Sequence, residues 1–365
     1  MTAARIRETA MRGKALLTLS DGRLLCSCGG RLRFYDTISE RLLSETPLPL
    51  SGWKRLAVRF RLAERALHAE CRWAHELPDG NILFSFENGI FSMDPAEGVI
   101  RREAVPVRGK PLMIAPIRDI PGFADGVAFG DYGGNDRREP VRIFFRPESG
   151  AVWETAYTFP AGEIRHVHGL FPCAGRGCVY VLTGDEDSEC GIWEARDGFR
   201  SVRPVLRGNQ QYRACQMQAL PEGDILFMTD SPSKPNHMFR LSSEGDVSPC
   251  GELTGTCIYG RPAFGGGIYS TTCEPDAKAP NRAVFFLTNR PGKGIRSRTV
   301  EVFTVNDRGE KNVLAAFHHD GLPLRLFQYA AVTFAEGDKI YFTPQCVRKH
   351  DGHVFLWQDG FGAQG

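Results

Sequence analysis

The chain has 365 residues, 42% of them hydrophobic and 24% charged, which is enough apolar material for one large globular core. Its 45 Lys and Arg against 43 Asp and Glu leave a formal net charge of +2, the footprint of neither a nucleic-acid binder nor a strongly acidic protein. The start of the chain has no apolar stretch suited to a secretory signal, and nowhere do 18 apolar residues run together, so a cytoplasmic protein without a transmembrane segment is expected.

In chain order, one pattern recurs. An apolar stretch reaches a tight turn containing Gly, and a second β-rich apolar stretch follows. The first copy is ALLTLSDGRLLCSC; WAHELPDGNILFSF, IPGFADGVAFGDY, LFPCAGRGCVYVLTGD, CQMQALPEGDILFMTD, RPAFGGGIYSTTCE and AAVTFAEGDKIYFTP come after it. Asp-Gly or Glu-Gly between apolar runs signals a hairpin. The turn glycines are read as Gly22, Gly80, Gly126, Gly177, Gly223, Gly267 and Gly337, spaced by 58, 46, 51, 46, 44 and 70 residues. A period in the mid-forties is that of a four-stranded propeller blade. The expectation is an all-β, single-domain β-propeller over 1–365, seven-bladed, or six-bladed if one weak copy is misread. The 11 cysteines, an odd number without paired CxxC spacing, are read as reduced and mostly buried thiols.

Both long gaps have visible causes. In the first, Trp53, Leu56, Phe60, Ala63 and Leu67 recur at helical spacing among Lys54, Arg55, Arg59 and Arg65, predicting one inserted amphipathic helix over about 52–68. It is read as packed on the propeller edge with its basic face in solvent; the alternative is a basic amphipathic helix for a membrane or partner. The 70-residue gap holds a blade with long loops. The last blade shows three clear strands, so residues 3–13 are expected to supply its fourth and close the ring.

Propeller geometry brings the start of strand one and the end of strand two of every blade to one face. After strand two come Glu87, Asp131, Asp185, Asp230, Glu274 and Gln345. Before strand one come Arg72, Arg118, Arg165 with His166 and His168, Tyr212 with Arg213, Tyr259 with Arg261, and Gln328 with Tyr329. Charges in a narrow mouth cost desolvation unless paired or used. One reading is blade-to-blade stapling; the other is a polar ligand site suited to hydroxylated or anionic ligands, sugars above all.

On a strand, His166 and His168 point to the same face, which suits a base and its helper, substrate contact, or a divalent cation; no other cofactor is expected. TGDEDSECGIW packs Asp185, Glu186, Asp187 and Glu189 into a short loop, where crowding raises at least one pKa and suits a general acid. GDYGGNDRRE adds Asp131 and Tyr132 on a flexible glycine-rich loop.

The runs GDYGGNDRREPVRIFFRPESGAVWETAYTFPAGEIRHVHGLF and TGDEDSECGIWEARDGF resemble the sialidase-like, BNR-repeat propellers of bacteria and archaea, glycosyl-hydrolase-like proteins. RPESGAVW, residues 146–153, is similar to the Asp-box of that family, with Glu148 for its Asp, Gly150 and Trp153; ARDGFRSV, residues 195–202, is a weaker copy that keeps Asp197. The resemblance implies an arginine cluster for a substrate carboxylate, a Tyr–Glu pair and an Asp acid, residue types present in Arg165, Arg213, Arg261, Tyr212, Tyr259, Glu274 and Asp185. It implies an acidic oligosaccharide or polysaccharide as partner, and polysaccharide-biosynthesis proteins nearby.

Three readings follow. In a glycosidase, Arg165, Arg213 and Arg261 hold a carboxylate while Asp131, Asp185, Asp230 or Glu274 provide acid and base, with Tyr132, Tyr212, Tyr259 and Tyr329 contacting sugar. In a polysaccharide lyase, His166 and His168 are central. In the third, the propeller binds glycan or scaffolds an assembly without catalysis.

Overall fold

The computed structural model describes residues 5–150, 152–276 and 279–358. Residues 3 and 4 of the expected closing strand and Ala151 of the Asp-box-like segment lie outside them.

Twenty-eight strands form seven four-stranded antiparallel sheets, the seven-bladed propeller expected. Strand β1 (Arg5–Arg12) precedes the first blade, β2 (Lys14–Thr18), β3 (Arg23–Cys28), β4 (Arg31–Asp36) and β5 (Leu42–Pro47). Helices α1 (Gly52–Ala57) and α2 (Arg61–Ala66) lead to blade two, β6 (Ala74–Glu76), β7 (Ile82–Phe86), β8 (Gly89–Asp94) and β9 (Val99–Arg102). Blade three is β10 (Ala115–Ile117), β11 (Gly126–Gly130), β12 (Val141–Pro147) and β13 (Glu154–Phe159). Blade four is β14 (His166–Cys173), β15 (Cys178–Gly184), β16 (Gly191–Arg196) and β17 (Ser201–Arg207); blade five is β18 (Ala214–Ala219), β19 (Ile225–Thr229), β20 (Asn236–Leu241) and β21 (Val247–Leu253). Blade six holds β22 (Thr256–Ala263), β23 (Gly266–Thr272), helix α3 (Arg282–Leu287), β24 (Thr299–Asn306) and β25 (Lys311–His318). In the last blade β26 (Ala331–Phe334), β27 (Ile340–Gln345) and β28 (His353–Gln358) are completed by β1, which pairs antiparallel with β28.

First strands of neighbouring blades touch one another and so line the channel. Apolar clusters fill the spaces between blades. Leu17, Leu25 and Phe34 meet Ile82, Phe84 and Phe86; Tyr180 and Leu182 meet Phe227 and Phe239. At the closure, Met11 and Ala15 pack with Tyr35, Tyr341 and Leu356. All 11 cysteines are free, nine of them buried.

Three local expectations are corrected. Gly126 and Gly267 are not turn residues. Gly126 opens β11 opposite Ile117, Gly267 lies within β23, and the positive-φ turn positions are Gly122 and Gly265. The predicted single helix is two short ones, broken at Val58–Phe60. Arg55 and Arg59 face solvent as expected, but the packed side differs. Glu64 and Arg65 are buried while Trp53, Leu56 and Phe60 are exposed. Ion pairs hold the insert down: Arg61 reaches Glu64, Glu70 and Asp351, and Arg65 reaches Asp320 at 2.6 Å. Val58 seats against Gly30 so closely that a Cβ there would lie 2.5 Å from its Cγ2.

Because β1 is the last seam of the ring, its buried Met11 should behave as core. Met11→Ala is expected to cost about 2–5 kcal/mol in denaturant unfolding. A loss below about 1 kcal/mol would show that β1 is not docked.

Candidate functional site

The loops before strand one and after strand two surround a cavity of about 1110 Å³ at one mouth of the channel. Eight Lys and Arg and five Asp and Glu line it among the described residues. Of the predicted site residues, His166, Asp185, Glu274, Arg165, Tyr132, Arg213, Tyr259 and Tyr329 face it. His168 and Asp230 are buried immediately beneath, His168 Nδ1 lying 3.6 Å from Asp230 Oδ2.

The structure takes three predicted site residues away from the mouth, and with them a fourth residue, an arginine of the recurring pattern. Asp131 is buried as a brace. It accepts the backbone N–H groups of Arg108 (2.6 Å) and Arg142 (3.1 Å), and pairs with the Arg142 guanidinium at 3.1 Å. Tyr212 packs half-buried in the cluster between blades four and five. Arg261 lies at the far end of β22 and donates to the Ala335 and Gly337 carbonyls at the opposite-face turn. Arg118 follows β10 instead of preceding it and pairs with Glu148 at 2.7 Å. For Arg118 and Arg261 a few residues along a strand were enough to change faces. In the box-like segment Arg146 and Pro147 end β12, and Trp153 precedes β13, packed against Phe129 with its indole N–H on Glu103.

One wall is a stack. The Arg72 guanidinium lies 5.0 Å over the Tyr132 ring, and that ring lies 4.4 Å from the His166 ring. His166 Nδ1 faces the Gly133 carbonyl at 3.0 Å and His168 Nδ1 faces that of Ala214 at 3.2 Å, so both Nδ1 atoms act as donors. The two Nε2 atoms then face each other at 3.1 Å, and each is 3.6 Å from Asp185 Oδ1. Three lone-pair atoms converge, and a shared proton or a divalent cation meets that need. These atoms would hold such an ion, although Arg213 Nη2 already lies 3.1 Å from the same oxygen.

Protonation divides the site. Burial presses the His168 pKa down to about 4, leaving the ring neutral at pH 7. Burial also pushes the Asp185 carboxyl up, but the adjoining imidazoles and the Arg213 guanidinium outweigh it and hold the pKa well below the usual range. Asp230 is raised to about 8 by burial and by the charge of Glu274. Glu274 is raised by burial against the pull of Arg213, and its Oε2 is buried without a hydrogen-bond partner. Carboxyl groups pushed in opposite directions thus share one mouth.

Sequence reading missed Lys14 and Lys110, which continue the stacked wall beyond Arg72. Arg72 donates to the Lys110 carbonyl at 2.7 Å, and Lys110 Nζ donates to the Glu70 carbonyl. No described carboxylate lies within ion-pair distance of these three cations. Burial lowers Lys14 to about 8; burial and the Arg72 charge lower Lys110 to about 7. Lys14 and Lys110 sit just inside β2 and in the loop before β10, where no motif marked them.

No family model matches the chain, and no curated protein matches it. Solved structures match at the level of fold. A chain of the mitotic checkpoint complex aligns with a TM-score of 0.54 and 11% identity over 97% of this chain and 91% of that one. An oligogalacturonate lyase in complex with manganese aligns with a TM-score of 0.54 and 10% identity over 97% and 96%. The CNH domain of AfRom2 aligns with a TM-score of 0.53 and 8% identity over 99% and 98%. At these identities the likeness is one of fold alone.

Asp230 carries a pH prediction. An unfolded Asp titrates near about 3.9. With the folded value at about 8, the stability this group confers is full below the unfolded pKa and is lost as pH rises through the folded one. Asp230→Asn should therefore flatten the fall in melting temperature between pH 5 and pH 8. An unchanged slope would show Asp230 ionised in the fold.

Proposed function

We propose that the protein binds an acidic oligosaccharide at this mouth and cleaves it by elimination beside a uronate carboxylate. The observation that carries the reading is the unpaired cationic wall of Lys14, Arg72 and Lys110, to which a carboxylate ligand supplies the missing charge. Arg165 and Arg213 border the opposite side, and Tyr259 and Tyr329 offer rings and hydroxyls to sugar faces.

An amine with a pKa near 7 is a base matched to neutral pH. Unprotonated Lys110 takes the proton on the carbon that bears the carboxylate. Arg72 and Lys14 stabilise the negative charge that develops there. The electron pair forms a carbon–carbon double bond as the bond to the leaving sugar oxygen breaks, and Glu274, whose pKa burial raises, is the acid that gives that oxygen its proton. Tyr132 and His166 position the ring from the side. A divalent ion held by His166, His168 and Asp185 would supply Lewis-acid polarisation of the carboxylate.

Hydrolysis is the second reading, favoured by the opposed shifts of Asp185 and Glu274. The products separate the two: elimination leaves a double bond that absorbs in the ultraviolet, and hydrolysis leaves reducing ends alone. On acidic oligosaccharides we expect the absorbing product, with kcat/KM rising with pH through about 7 as Lys110 loses its proton. Lys110→Met should lower kcat by about 10²–10⁴-fold. Reducing ends without absorbance would replace elimination by hydrolysis. Binding without any product would leave a glycan-binding propeller.

A further inference from the structure

The two inserts at the mouth expose apolar side chains that the fold leaves uncovered. Trp53 is 66% exposed, Leu56 61% and Phe60 73%; on the second insert Leu287 is 60% exposed and Val284 43%. Both inserts border one cavity, since Lys54 of the first and Phe285 and Phe286 of the second line it. Topology requires this. The α1–α2 segment joins the fourth strand of one blade to the first strand of the next, and α3 joins strands two and three of blade six. In an antiparallel blade both connections open on the same face. Elsewhere Val152 is exposed singly at an opposite-face hairpin, and Ile38 with Leu42 and Leu43 lies at another, away from this cavity.

The exposed charge of the inserts has one sign, since Glu64 of α2 is buried. Arg55, Arg59, Arg282, Arg290 and Lys293 are exposed, and neither 51–62 nor 279–295 contains an Asp or Glu. We propose that this rim is a membrane-docking surface that seats the mouth on an anionic bilayer. Exposed Trp and Phe flanked by Arg are the residues that settle at a lipid interface, and the arginines find their counter-charge in anionic headgroups. A two-fold pairing of the rim with its own copy would instead bring these exposed cations together, while the rim acids Glu87 and Asp136 are already paired with Lys54 and Arg165. Docked in this way, the cavity opens towards the lipid surface; resting on the functional reading above, its substrate is an acidic glycan carried on lipid.

Co-sedimentation with phosphatidylcholine vesicles, with and without phosphatidylglycerol, tests the surface. The expected result is binding to the anionic vesicles that weakens as salt is added. Trp53→Ser with Phe60→Ser, and Val284→Ser with Leu287→Ser, should each reduce binding by about 10-fold or more. Arg55→Glu with Arg59→Glu should abolish the preference for anionic lipid. All three pairs are exposed and should keep the parent's melting temperature and its cleavage of soluble oligosaccharide. Lys110→Met should bind vesicles as the parent does, so failure of docking and failure of the activity are read separately. Equal binding to neutral and anionic vesicles, variants that bind like the parent, or a dimer in light scattering that Trp53→Ser with Phe60→Ser dissolves would each overturn the proposal.

Discussion

A propeller blade has two apolar faces and covers neither by itself, so every blade depends on closure of the ring. Here closure is the pairing of β1 with β28, which brings Met11 from the start of the chain between Tyr35 of the first blade and Tyr341 and Leu356 of the last. The edge that pairing removes would otherwise be open to strand addition. The inserted segment adds a polar seam near the same junction, since Arg61 of α2 reaches Gln345 and Asp351 across the channel mouth. With blades one, two and seven tied together, Lys14 on β2, Arg72 before β6 and Gln345 at the end of β27 are held on one wall.

Rigid closure also explains how so many polar groups remain buried together. Each blade delivers two short segments to the mouth, and their side chains cannot retreat without disturbing the cores on both sides. His168 is fixed from below by Ala214, Cys215 and Asp230, all in blade five. Asp185 is fixed laterally by Arg165 and Arg213 from blades four and five. Protonation becomes the remaining freedom, and it separates Asp185, held low, from Asp230 and Glu274, both pushed up.

The period and ring closure were legible because hairpin turns and strand alternation are local signals. So was the recurrence of polar residues after strand two, for Asp185, Asp230 and Glu274 all stand at that level. Register was less legible. Arg261 is two residues beyond Tyr259, yet Tyr259 faces the mouth and Arg261 the opposite end. Asp131 occupies the expected level but turns outward to Arg142, and Tyr132 faces the cavity in its place. The inserted helix misled because spacing reports a face without saying which side is covered. Ion pairs of Arg61 and Arg65 with Asp351 and Asp320, 290 and 255 residues away, decide that, and such partners leave no local trace.

The contrast between Asp131 and the Lys14–Arg72–Lys110 wall distinguishes a structural charge from a functional one. Both sets are polar, partly or fully buried and near the same mouth. Every strong acceptor direction of Asp131 is used, by two backbone N–H groups and a guanidinium, and the residue faces no open space; it is a complete brace. The three cations face a cavity, lack a carboxylate partner, and their two lysines have pKa values lowered to about 8 and about 7. Like charges crowded in partial burial oppose folding, and the fold offers nothing within reach that offsets them beyond the more distant Glu70. Such an arrangement is stabilised when an anion enters, and binding energy released there is available to hold a carboxylate beside Lys110.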